Sequence, residues 1–140
     1  MKPFEQDLYD KDDNAKFVVI DYLATLGIQA RVNPDPYGID LLADWYGDAY
    51  EIEVEVKHHW SGAEFPFDSL HYSARKVKFL NQNAHVRFIT LNNEWTHAAV
   101  VNGKDLLTCK IVEKKTKYTD QESFIEVPID KVRWVEIASV

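Results

Sequence analysis

The chain has one cysteine, Cys109, in 140 residues. That excludes an intramolecular disulfide and any zinc site built on several thiolates. No apolar run approaches the length of a membrane span, and Met1-Lys2-Pro3-Phe4-Glu5-Gln6-Asp7 contains nothing resembling a signal peptide. There is no glycine-rich phosphate loop, no acyl-transfer motif around Ser61 or Cys109, and no repeat or low-complexity tract. A basic excess is missing as well. Lys and Arg number 16 against 23 Asp and Glu, a net charge of -7. The expected setting is reducing and cytoplasmic, with no membrane partner. The acidic balance argues against a general nucleic-acid binder, whose footprint is basic. It is compatible with acids gathered around a metal, which inverts the local charge.

What is present is ordinary for a globular protein: 46% hydrophobic and 28% charged residues. Residues 1–140 are expected to form a single domain, long enough to bury a core. Asp12-Asp13-Asn14 offers N-caps and first-turn acids for a helix running to about Leu26, with Gly27 as its stop. Its many apolar residues predict burial on most sides. Ile28 to Asn33 reads as extended, and Gly38 to Trp45 as a strand. Tyr46-Gly47-Asp48 reads as a turn, and Ala49 to Lys57 as the clearest strand, with strict alternation of acid and aliphatic residues. The two strands make a hairpin. Asp68 or Ser69 can cap a second helix to about Leu80. Val86 to Leu91 and His97 to Val101 read as strands, and Ser123 to Val127 and Val132 to Ile137 as a final strand pair. The fold class is α/β, a central mixed β-sheet flanked by helices. The core order is helix-strand-strand-strand-helix-strand, and the crossover makes the central strand parallel to Val86–Leu91.

The chemistry gathers on the central hairpin. Alternation puts Glu51, Glu53, Glu55 and Lys57 on one face of their strand. The hairpin can bring Asp40 beside Glu55, within reach of one metal ion, and the backbone carbonyl of Val56 can add a third oxygen. Hard oxygen ligands suit Mg²⁺ or Mn²⁺. A metal-bound water is a nucleophile at neutral pH, and Lys57 can orient it or stabilise charge on phosphorus. Glu53 shares the face as a further acid. The plain alternative is that an acidic face is the wet side of an antiparallel pair.

Gly38-Ile39-Asp40-Leu41-Leu42-Ala43 followed by Glu55-Val56-Lys57 resembles the PD-(D/E)XK nuclease superfamily, the restriction-endonuclease-like fold. Within it, these segments are most similar to Holliday-junction resolvases and small resolvase-like nucleases. The resemblance covers roughly Asp13 to Leu91. It implies a Mg²⁺-dependent DNA endonuclease with Asp40 and Glu55 as metal ligands and Lys57 as the catalytic lysine. Two departures stand out. The family often carries a glutamate on the first helix, and here that register falls near Lys16 or Phe17. Asp13 is the nearest substitute and Asp21 a weaker one. The literal Pro-Asp pair is Pro34-Asp35, in a proline-flanked loop, so Asp40 is preferred. The resemblance also favours Arg75 or Lys76 as a phosphate contact, with Lys78 beside them, and Trp60 can stack on a base. His58 and His59 read as strand-end residues, and Lys110 to Lys117 as a solvated edge. Many such enzymes are symmetric homodimers. A catalytically inactive domain of the same fold, binding DNA or a protein partner, is the rival reading.

Overall fold

The computed structural model describes the backbone of residues 3–80, 85–115 and 122–137, with side chains from residue 13 onward in those stretches. In chain order the elements are α1 (Pro3–Thr25), β1 (Gln29–Val32), β2 (Leu41–Trp45), β3 (Asp48–Lys57), β4 (Ser69–Ser73), a 3-10 helix (Ala74–Phe79) and β5 (His85–Asn92). They continue with β6 (His97–Asn102), the single-turn α2 (Gly103–Leu106), β7 (Lys110–Lys114), β8 (Glu122–Pro128), a second 3-10 turn (Ile129–Lys131) and β9 (Arg133–Glu136). Six strands form a mixed sheet in the order β1-β2-β3-β5-β6-β9, and three form a second sheet in the order β4-β8-β7. The β3–β5 pair is parallel, as the crossover predicts, and the other pairs in the large sheet are antiparallel.

The large sheet is covered differently on its two faces. On one side, Ala15, Val19 and Leu23 of α1 pack with Leu41, Ala43, Ile52, Val56, Ile89 and Leu91. These helix residues recur every four positions, so one stripe makes the contact. On the other side the second sheet brings Leu70, Tyr72, Ile125 and Val127 against Val86, Phe88, Ala99 and Val101. The buried Tyr72 hydroxyl and Thr90 Oγ1 lie 2.7 Å apart and tie the sheets together. No helix among the described residues is long and apolar enough to cross a membrane.

The structure corrects several sequence expectations. Asp12-Asp13-Asn14 is no helix start, because α1 already runs from Pro3; proline suits a first turn, where its missing amide is not needed. Its stop is as expected: Gly27 has a φ of +82°, and the Ile28 amide donates to the Leu23 carbonyl. The helix is not buried on most sides, since Phe17 is 57% exposed. The second helix is replaced by β4 and the 3-10 helix. A strand-built layer, not a helix, therefore covers the second face. The final two strands do not pair: β8 belongs to the small sheet and β9 to the large one. Lys110 and Lys114 lie on β7, an edge strand, as the solvated-edge reading expects, while Lys117 lies outside the described residues.

Candidate active site

Asp40 lies just before β2, not on it, at the end of a loop that the chain locks from within. The Asn33 amide Nδ2 donates to the Ile39 carbonyl at 2.9 Å, and the backbone amide of Asn33 donates to the Asp40 carbonyl at 3.0 Å. Asp35 Oδ1 accepts from the Tyr37 amide, so Asp35 shapes the loop. A Cβ on Gly38 would lie 2.7 Å from Asn33 Nδ2, so a larger residue would displace the side chain that closes this loop.

The hairpin then sets the neighbours of Asp40. Tyr46 and Gly47 make a two-residue turn, and Leu41 pairs with Ile52. One step further out, Asp40 meets Glu53. The Asp40 amide donates to Glu53 Oε2 at 3.3 Å, and the Val54 amide donates to Asp40 Oδ2 at 2.8 Å. Glu55 follows on the same face of β3 and acts electrostatically on both Tyr72 and Lys76. Lys57 comes last, and its Nζ donates to the His71 carbonyl at 3.3 Å. From Glu53 to Lys57 is about 13 Å along an extended strand. The acid next to Asp40 is thus Glu53, two positions before the expected Glu55.

Two lysines close the cluster. Lys76, from the 3-10 helix, donates to Glu53 Oε1 at 2.5 Å. Lys16, from α1, lies 3.5 Å from Asp40 Oδ1 and 3.2 Å from Asp13 Oδ1. Burial works against the charge of both lysines, but the neighbouring carboxylates outweigh it and hold their proton affinities above the ordinary value. The proton affinity of Glu53 is raised as well, which for a carboxyl disfavours the charged form. Burial, and then the charge of Asp40, push its pKa up to about 7, with Lys76 opposing. Asp13 is exposed and meets the cluster through Lys16. The position where sequence reasoning looked for an acid therefore carries a lysine that faces the acid pair.

The raised Glu53 has a consequence for stability. The native state keeps this proton to a higher pH than the unfolded chain does, so folding stability falls between about pH 4.5 and about pH 7. Glu53→Gln keeps the shape and removes the titration. Urea unfolding across that window should show the variant gaining on wild type as pH rises. Parallel profiles would remove Glu53 as the cause.

Arg75 and Lys78 are exposed and, with Lys76, Ser73 and Phe79, line a cavity of about 250 Å³ beside the cluster. Arg75 reaches Glu122 Oε1 at 3.4 Å, and Lys78 Nζ lies 5.0 Å from the centre of the Phe79 ring. Trp60 is corrected. It is fully buried, with edge contacts to Phe65 and Trp134, and offers no face to a base.

Among the described residues, no group of three or more His, Cys, Asp or Glu side chains is gathered to hold a metal. The donor set nonetheless fits a hard divalent ion. Mg²⁺ is commonly held by one or two carboxylates plus water and substrate phosphate. Asp40 and Glu53 crowd enough for one charge to raise the proton affinity of the other.

No family model and no curated protein sequence matches the chain. Among solved structures it is similar to Hjc, a Holliday junction resolvase from the archaeal hyperthermophile Archaeoglobus fulgidus. The identity is 15%, the TM-score is 0.53, and the match covers 83% of this chain and 84% of that one. The restriction-endonuclease-like fold expected from Asp40 and Glu55-Val56-Lys57 is therefore the fold observed.

Proposed function

We propose that residues 1–140 form one metal-dependent nuclease domain that hydrolyses phosphodiester bonds of DNA, with branched DNA as the substrate class. The observation that carries this reading is the meeting of Asp40 and Glu53 under Lys76 on the fold shared with Hjc. Glu55 extends the acid row toward Lys57.

In this reading Asp40 and Glu53 would hold Mg²⁺ or Mn²⁺, with Glu55 as the third acid of the row beside them. Once bound, the ion would supply an activated water and neutralise charge on phosphorus. The protein's own groups do the rest. Lys76 lies within the field of all three acids and can turn its ammonium to a phosphate oxygen. Arg75 and Lys78 flank it and position the strand. Lys57, about 13 Å further along β3, contacts the phosphate backbone. Asp13 restrains Lys16 through their ion pair.

A second reading, a non-catalytic DNA- or protein-binding domain of the same fold, is favoured by Lys16 and Lys76. Both hold ammonium groups against the carboxylates a cation would use. A metal titration combined with a cleavage assay decides between the two. The nuclease reading expects Mg²⁺ or Mn²⁺ to raise Tm and to support cleavage of branched DNA over linear duplex, with Lys57→Ala reducing the rate. A Tm that ignores both metals, with no cleavage of linear, nicked, branched or single-stranded DNA, would leave the binding domain.

A further inference from the structure

At the far end of β3 from the acid pair lies a second cavity, of about 240 Å³. Its walls come from both sheets. Lys57 enters from the large sheet, His71 from β4 and Lys114 from β7, with His59 from the loop after β3. In a chain with a net charge of -7, its described lining contains two lysines, two histidines and no acid. Glu126 is close by, with its Oε2 3.6 Å from His71 Nε2. Lys57 is held toward the cavity by the His71 carbonyl, and Lys114 Nζ lies 5.6 Å from the centre of the Phe124 ring. Burial, and then the charge of Lys114, depress the proton affinity of His71, which leaves a neutral ring that both donates and accepts.

The remaining wall is aromatic and rigid. Phe65 and Phe67 meet edge to face with centroids 5.4 Å apart. Phe65 is wedged against the buried Trp60 at 5.3 Å and against Trp134 at 5.4 Å. Phe67 rests on this stack and is 49% exposed. Two cations beside an anchored, open phenyl ring match the two halves of a nucleotide: phosphate on the lysines, base on the ring.

We propose that this cavity holds one unpaired nucleotide of a DNA strand, with Lys57 and Lys114 on its phosphate and Phe67 stacked on its base. The proposal rests on the nucleic-acid-binding part of the reading above and does not need cleavage. A base in the interior of a duplex has both faces covered by its neighbours, so a continuous duplex offers Phe67 no base to stack on. The distance of about 13 Å from Glu53 corresponds to roughly four stacked nucleotides. A strand lying along β3 would then place unpaired nucleotides a few positions from the acid pair, which selects single-stranded or branched substrates over continuous duplex.

The test is fluorescence anisotropy in metal-free buffer, using labelled oligothymidylate and a blunt duplex. Wild type should bind oligothymidylate, and Phe67→Ala should weaken that binding about tenfold with little change for the duplex. Phe67→Tyr should restore it. Lys114→Ala should weaken binding of both ligands and flatten the salt dependence by about one ion. Thymidine monophosphate should compete better than inorganic phosphate. Absence of oligothymidylate binding by wild type would overturn the proposal. So would equal losses for duplex and single strand in Phe67→Ala, or competition by phosphate equal to that by the nucleotide. Asp40→Asn should keep this binding. Absence of cleavage by wild type, together with intact, Phe67-dependent binding, would refute the catalytic reading and leave this pocket standing.

Discussion

Asp40→Asn should abolish metal-dependent cleavage, a loss on the order of a thousandfold or more, while leaving the fold intact. The substitution separates charge from shape. Asp40 Oδ2 accepts from the Val54 amide, and an asparagine oxygen can accept the same bond. The negative charge that would attract a cation is removed, and one of the two carboxylate partners of Lys16 becomes neutral. The change also reaches Glu53. Part of its raised proton affinity comes from the Asp40 charge, so its pKa should fall from about 7 toward the ordinary carboxyl range. Single-turnover cleavage and carboxyl titration by NMR read the two effects independently. A variant that cuts within a few-fold of wild type would move the chemistry away from this acid pair. A Glu53 titration that stays unchanged would show that burial alone raises it.

Trp60→Ala should destabilise the protein by about 3–5 kcal/mol, the largest cost expected of any single truncation here. Trp60 is among the largest side chains with no exposure at all. It belongs to the core between the two sheets, with Phe65 and Trp134 edge-on to its ring. Its backbone is also committed: its amide donates to the Lys57 carbonyl and its carbonyl accepts from the Asn93 amide. These bonds hold in place the segment that leaves β3, so the cavity left by truncation cannot close by a local shift. Urea unfolding should show a lower midpoint with an unchanged slope. A cost under about 1 kcal/mol would mean that the site repacks and that Phe65 is not anchored as described.

The central hairpin was legible because its information is local. Alternation from Glu51 to Lys57 needs no knowledge of distant chain to set acids on one face and aliphatics on the other. The stop at Gly27 is local in the same way. The identity of the acid beside Asp40 was legible in principle. A two-residue turn at Tyr46-Gly47 pairs Trp45 with Asp48, and counting outward brings Asp40 to Glu53. The familiar Glu-x-Lys spacing drew attention to Glu55 instead. Ser69–Ser73 was misread because five residues are too few to separate a period of two from one of 3.6. Its partner, β8, begins only at Glu122.

The sequence by itself determined the α/β class, the acidic face of β3, the parallel pairing of β3 with β5 and the candidacy of Asp40, because each follows from short-range pattern and connection length. Only the tertiary structure decided which charges meet. Lys16 reaches Asp40 from α1, Lys76 reaches Glu53 from the 3-10 helix, and Lys57 faces His71 and Lys114 across the two sheets. The same step withdrew Trp60 from solvent and left Phe67 at the surface. Residues far apart in the chain become neighbours through sheet register and layer packing, and no periodicity within one segment encodes that contact.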